Sequence, residues 1–334
     1  MYSLDEIKEV HLEISSKCNA TCPLCPRNCH GYNHNFGYEE RNLSLYEIKK
    51  IFTKDILKQL KRILINGNFG DMVMNTETPD IVDYFLSVNK NIEIEISTNG
   101  GARNQQFWKK LGNMPISIDF CIDGVDDTHS LYRRNTRFET VIRNAKTYIS
   151  AGGIARWKFI EFDHNRHQTK LAEDMANHLG FAEFFVVKNS HGAGVVLNKS
   201  KQVIYAIDEE LIMDYSKYST KELFYVADSE QLTEYPEIKN IECEASKDKS
   251  VYINSVGEVY PCCYLGFNPR TYASPGMAVY NQQIKKILKP NNAIEHPLEE
   301  CIAWFASVKK TWSKDWRQGR LLKCNDQCGK CKKL

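Results

Sequence analysis

Twelve cysteines divide between the two ends of this chain. Cys18, Cys22, Cys25 and Cys29 crowd the start, seven more lie between Cys243 and Cys331, and Cys121 stands alone. In a reducing compartment such thiols read as metal ligands rather than disulfides. The first three follow the spacing Cys-x3-Cys-x2-Cys, which lets three thiolates wrap one face of a cubane iron–sulfur cluster. A four-iron cluster normally takes four thiolates. With three, one iron keeps an open position, and a small chelating ligand such as the amino and carboxylate groups of a methionine moiety can fill it. Cys29, beyond Pro26-Arg27-Asn28, is a fourth candidate ligand. A zinc knuckle or a set of buried thiols is the plainer alternative.

The elements that must position these thiols can be read from periodicity. Alternating or continuous apolar runs predict strands at residues 10–15, 62–65, 92–96, 115–121, 154–162 and 184–187. Helical spacing fills the intervals at 43–60 with Ser44 as cap, from Pro79 to 86, at 104–111, at 138–149 and at 167–179, the last closed by Gly180. Six strand–helix units in strict alternation imply a parallel sheet with right-handed crossovers. No G-x-G-x-x-G follows the first strand, so a partial (β/α)6 TIM-like barrel is preferred over a doubly wound sheet. In either fold, reactive residues belong at the carboxyl ends of strands, where Cys18 falls. The expected organisation is a barrel over 1–197, a connector over 198–240 and a small metal-stapled domain over 241–334.

Bulk properties exclude some classes of function. The 334 residues are 42% hydrophobic, enough for a sizeable core. A formal charge of +2 argues against a dedicated nucleic-acid binder. No apolar run approaches the roughly 20 residues of a membrane span. The first ten residues carry Asp5, Glu6 and Glu9 and no apolar signal segment, so the cytoplasm is the expected compartment.

The cysteine run directly after a first strand resembles the signature of the radical S-adenosylmethionine (SAM) superfamily. Leu24 stands where that family usually has an aromatic. The resemblance continues over residues 8–190. After the second strand, Gly70-Asp71 would take the part of the family's Gly-Gly-Glu turn, whose backbone contacts the methionine amino group. Ser97-Thr98-Asn99-Gly100 follows the third strand, and Asp119, Asp123-Gly124, His129, Tyr132 and Arg133 follow or end the fourth. Lys158 on the fifth is a possible partner for the cosubstrate carboxylate. The resemblance thus implies SAM contacts at Gly70, Asp71, Ser97, Thr98, Asn99, Asp119 and Lys158, around a 4Fe-4S cluster on Cys18, Cys22 and Cys25. Taken singly, each polar position reads more readily as a structural or solvent-facing residue than as a functional one. Cys121 reads as a buried small hydrophobe, or as a hydrogen donor at a strand end.

The second cysteine group resembles a SPASM or twitch domain. Cys243 is followed by thirteen residues, Gly257, four residues and Cys262-Cys263. Residues 251–254 and 258–260 predict a hairpin. A full SPASM domain needs a further C-x2-C-x5-C-x3-C run that is missing here, so the twitch form, with one auxiliary 4Fe-4S cluster, fits better. The resemblance implies Cys243, Cys262, Cys328 and Cys331 as its ligands, with Cys324 as competitor and Cys263 and Cys301 spare. Four thiolates leave no open iron, which suits electron transfer or structure. Zinc is the alternative.

The implied activity is reductive cleavage of SAM by an electron from reduced flavodoxin or ferredoxin. A 5′-deoxyadenosyl radical would then abstract hydrogen from substrate. A peptide or protein is the first expectation, helped by a basic, tryptophan-bearing region around Trp304, Lys309, Lys310, Trp312, Trp316, Arg317 and Arg320. That region also reads as a solvated helix whose tryptophans pack inward. Against a peptide, the chain starts almost at the first strand, so no fused leader-binding domain is expected before Cys18. A small-metabolite dehydrogenase or epimerase is the second expectation. A non-catalytic zinc or iron–sulfur binding protein is the third.

Overall fold

The computed structural model describes residues 1–25, 27–29, 32–33, 39–189, 194–198, 200, 202–207, 240–267, 283–289, 291–314 and 319–330. Strands β1 (Glu9–Leu12), β2 (Arg62–Ile65), β3 (Glu93–Thr98), β4 (Ser117–Cys121), β5 (Ile154–Glu161) and β6 (Glu183–Lys188) pair in parallel in chain order. Helices α1 (Leu45–Ile51), α2 (Lys54–Gln59), α3 (Thr78–Val88), α4 (Gln105–Gly112), α5 (His129–Tyr132), α6 (Phe138–Ser150) and α7 (Thr169–Leu179) fill the crossovers. This is the expected mostly parallel α/β arrangement of a partial TIM-like barrel. The one helix expected over 43–60 is two. Thr53 accepts the Ile56 N–H at 3.4 Å and starts α2, while Ser44 and Glu47 cap α1 reciprocally. A capping side chain outcompeted continued periodicity.

Beyond β6, β7 (Gly194–Leu197) and β8 (Val203–Ile207) form an antiparallel pair. The C-terminal region contributes β9 (Asn240–Ile241), α8 (Glu244–Asp248), β10 (Ser250–Ile253), β11 (Val259–Tyr260), α9 (Cys263–Phe267), α10 (Leu298–Ile302), α11 (Phe305–Thr311), α12 (Leu322–Cys328) and β12 (Gly329–Lys330). The expected hairpin is present, with Tyr252 opposite Tyr260. It does not stand apart: β10 pairs in parallel with β1, Val10 opposite Val251, so the sheet has eight strands. The expected connector falls mostly outside the described residues, as do Trp316, Arg317 and Cys331.

Alternation along the strands sorts the two faces of the sheet. Val10, Leu12, Ile63, Ile65, Ile94, Ile96, Ile118, Phe120, Trp157 and Phe159 are buried in one apolar core. Tyr252, Tyr260, Trp304 and Phe305 belong to the same core, so barrel and C-terminal region share it. The opposite face carries an ionic ladder that crosses the strands. Arg62 meets Glu9 at 3.5 Å and Glu95 at 2.5 Å, and Arg156 meets Glu95 at 3.5 Å and Asp119 at 2.6 Å. In the basic C-terminal stretch, Lys309 and Lys310 are exposed and Trp304 is buried. Arg320 departs from the solvated-helix expectation: it is buried and donates to the carbonyls of Trp312 and Lys314. Among the described residues no helix is long and apolar enough to cross a membrane.

Candidate functional site

Residues 18–25 leave the carboxyl end of β1 and fold under a lid of side chains. Cys22, Ala20, Tyr132, Ile160, Phe162, Val196 and Ile207 form a second buried apolar cluster, against which Cys18, Leu24 and Cys25 pack. Leu24, in the family's aromatic position, therefore still supplies an apolar wall. The loop is pinned by Cys25 N–H to Cys22 O at 3.1 Å and by Thr21 N–H to Arg134 O at 2.9 Å. Burial is the first cause pushing all three thiols above their ordinary range, Cys25 to about 12. At Cys18 the Asp71 carboxylate adds to it, whereas at Cys22 the Arg133 guanidinium opposes it.

Asp71 organises the opposite wall. It is buried, and it accepts from Thr98 Oγ1 at 2.6 Å, the Asn99 amide N–H at 2.7 Å, Asn99 Nδ2 at 2.7 Å and Val73 N–H at 3.1 Å. So held, Asn99 Nδ2 also faces Asn19 Oδ1 at 3.1 Å and Cys18 Sγ at 3.6 Å. Burial raises the Asp71 pKa, and these donors offset part of that. The turns after β2 and β3 thus meet at the first cysteine. Gly70 is required by space: a Cβ there would stand 1.9 Å from Ser15 O. Ser97 and Asp119 face each other at 3.5 Å, and the other Asp119 oxygen is taken by Arg156. Lys158 lies half-buried, in register with Cys121 on β4. Burial raises the Cys121 thiol to about 11.

Two residues with no motif around them, Glu13 and Arg27, hold this site together with Arg133 of the His129…Tyr132-Arg133 pattern. Glu13, buried just past the end of β1, accepts Phe69 N–H at 2.7 Å, Gly70 N–H at 2.9 Å and the Tyr252 hydroxyl at 2.6 Å. Arg27 donates to Ser16 O and, at 3.2 Å, to Phe69 O. Arg133 pairs with Asp123 at 2.6 Å and points Nη1 at Cys22 Sγ, 3.8 Å away. A charged residue in the alternating strand 10–15 was the one available sign of Glu13. Its partner Tyr252 is too distant in the chain to be paired by pattern.

The C-terminal thiols gather separately. β9 pairs with β12, and Glu242 N–H reaches Cys328 O at 2.9 Å, which closes the chain around Cys243. Cys243, Cys262, Cys324 and Cys328 line one small hollow, with Tyr264, Leu265 and Trp312. The Cys243–Cys328 thiol contact lowers the pKa of Cys243, because the shared proton stabilises its thiolate. The structure therefore brings Cys243, Cys262 and Cys328 together and adds Cys324, while Cys331 lies outside the described residues. Cys301 is elsewhere in the core, with its sulfur near His296 O at 3.8 Å.

The donor set at the first site fits an iron–sulfur cluster. One buried and two half-buried thiols gather in residues 18–25, burial pushes all three pKa values up so that cationic iron would be needed to ionise them, and N–H groups already face two of the sulfurs. Among the described residues no three His, Cys, Asp or Glu side chains converge on a point where one ion would sit.

The family model described as the Radical SAM superfamily matches residues 12–160. Over 127 residues the chain is 25% identical to the FeMo cofactor biosynthesis protein NifB of Methanocaldococcus jannaschii, covering 36% of this chain and 42% of that one. Over 181 residues it is 25% identical to the probable GTP 3′,8-cyclase of Methanococcus maripaludis, covering 52% of this chain and 57% of that one. The chain thus spans about half the length of these curated relatives. Streptococcus suis SuiB, solved bound to the precursor peptide SuiA, superposes over 95% of this chain and 70% of its own, with TM-score 0.56 and 16% identity. Histidine-tagged anSMEcpe, solved with bound AdoMet, superposes over 94% of this chain and 84% of its own, with TM-score 0.54 and 12% identity. At such identities the likeness shows the fold. The Radical SAM superfamily is thus what residues 12–160 of this chain are similar to.

Proposed function

We propose that the chain is an enzyme that binds a 4Fe-4S cluster on Cys18, Cys22 and Cys25, takes SAM at the open iron and modifies a peptide or protein. The observation that carries this reading is the joint between Asp71, Thr98, Asn99 and Cys18. It closes the turns after β2 and β3 over the first cysteine, where the cosubstrate must sit. Held by Cys18, Cys22 and Cys25, the cluster would supply one-electron reductive cleavage of the sulfonium of SAM, the source of the hydrogen-abstracting power. The chain's own work is positional. Glu13 holds the 66–71 turn, the Gly70 backbone lies against the cysteine loop, and Tyr132, Ile160, Phe162 and Val196 exclude water. Ser97, Asp119 and Lys158 would line the remaining cosubstrate surface.

Residues 1–197 would be the catalytic barrel, 198–240 a connector and 241–334 an auxiliary domain. Its second cluster would take Cys243, Cys262 and Cys328, with Cys331 or Cys324 as fourth ligand. The electron would come from reduced flavodoxin or ferredoxin. Free thiols at both sites suit the reducing cytoplasm. A peptide substrate is favoured because SuiB and anSMEcpe, which share this fold, were both solved with peptides.

Anaerobic reconstitution with iron and sulfide tests the reading. Dithionite reduction in the presence of SAM should release 5′-deoxyadenosine, with about eight irons per chain for two four-iron clusters. Iron bound without any 5′-deoxyadenosine would leave a non-catalytic cluster protein instead.

A further inference from the structure

Arg133 is the cation placed against a thiol of the first site. Its side chain is 15% exposed, and Nη1 stands 3.8 Å from Cys22 Sγ. Three contacts fix that aim. Nε donates to Asp123 Oδ2 at 2.6 Å, and Asp123, fully buried, is itself held by Ile160 N–H at 2.7 Å. The guanidinium lies over the Tyr132 ring at 5.3 Å, and that ring packs on Phe162 at 4.3 Å. The loop that carries Arg133 is tied to the cysteine loop through Arg134 O and Asn135 Nδ2, which hold Thr21. Cys18 has only a neutral side-chain donor, Asn99 Nδ2, at 3.6 Å.

This arrangement is an oriented dipole. The carboxylate takes Nε, which leaves Nη1 to face the sulfur. Reduction of a cluster adds one electron, here from the external donor, and the added negative charge spreads onto the coordinating thiolates. Buried positive charge and N–H donors to those sulfurs favour the reduced state. We propose that Arg133 sets the reduction potential of the first site, holding it up through Cys22, with Asp123 moderating the effect. Arg133 is thus a tuning and positioning residue. The inference rests on the reading that Cys18, Cys22 and Cys25 hold a cluster.

The test is a redox titration of the reconstituted full chain without SAM, followed by the electron paramagnetic resonance of the first cluster. Iron and sulfide are counted in parallel. Arg133→Gln should lower the reduced-to-oxidised ratio at a fixed potential about tenfold, a shift of about 59 mV for one electron. Asp123→Asn, which unmasks the cation, should shift the midpoint the opposite way. Arg133→Lys should fall between wild type and Arg133→Gln. Arg137→Gln, whose side chain is 81% exposed, should change nothing. If Arg133→Gln cannot hold iron, the direction of the Asp123→Asn and Arg133→Lys shifts decides. Midpoints equal to wild type in every iron-loaded variant overturn the proposal and leave Arg133 a packing residue. A wild-type chain that binds no iron at Cys18, Cys22 and Cys25 sinks the underlying cluster reading instead.

Discussion

The first cysteine site is cut from one short loop, residues 18–25, whereas the second is assembled from three separated stretches of chain, at 243, at 262 and on α12 at 324 and 328. Their surroundings differ in the same sense. Around the first, polar side chains arrive from the turns after β2 and β3 and from the end of α5, and Asn99 and Arg133 aim at the sulfurs. Around the second, the neighbours are mainly apolar or thiol, and two of the thiols contact each other. On the proposed reading, the site with directed donors would hold and activate a ligand. The site that closes thiols on themselves would fasten chain segments or pass an electron. The same element type, a cysteine after a strand, serves both, and what differs is which polar groups the fold delivers to it.

The sharpest way to break this comparison is to remove one thiol from each side. Cys22→Ala takes a ligand from the buried loop and should abolish 5′-deoxyadenosine formation. Cys262→Ala should reduce iron content and stability yet leave measurable cleavage. Equal loss in both variants, at matched iron content in the first site, would make the two sites one functional unit and erase the distinction. Cleavage surviving in Cys22→Ala would remove the assigned role of the first loop.

How much of this could be read in the chain follows from sequence distance. The six barrel strands declared themselves by local periodicity, as did the three thiols within residues 18–25. Asp71 and Asn99 were legible because each ends a turn after a strand, and successive strands in a parallel sheet place such turns side by side. The contacts that join the regions were not legible. Tyr252 to Glu13, and Asn68 Nδ2 to Cys263 O at 2.9 Å, link residues far apart in the chain with no shared motif. The pairing of β10 with β1 is of the same kind, since a hairpin pattern does not say which sheet it joins. The break at Thr53 was missed for the opposite reason. Its signal is one hydroxyl, weaker than the apolar stripe running through it.

Those long-range links offer a subtler test of how separate the two regions are. Tyr252→Phe deletes one hydroxyl from the C-terminal hairpin and one of three donors from buried Glu13. Leaving the carboxylate short of a donor should cost about 1–3 kcal/mol of stability. The turn that Glu13 fixes carries Gly70 and Asp71, so affinity for SAM should fall as well. Calorimetric unfolding and equilibrium binding of SAM measure the two effects. Loss of stability with unchanged SAM affinity would show that the hairpin supports the barrel without reaching its site.

The smallest expected effect separates stability from coupling. Ser44 caps α1, accepting Glu47 N–H at 3.2 Å while Glu47 returns to Ser44 N–H at 2.9 Å. Ser44→Ala removes the cap and should cost about 1 kcal/mol. Neither cysteine site contacts this box, so iron content, SAM affinity and cleavage should stay at wild-type levels while the melting temperature drops. Were Ser44→Ala to weaken SAM binding as much as Tyr252→Phe, loss of stability alone would explain both. The hydroxyl between hairpin and barrel would then carry no special message from one region to the other.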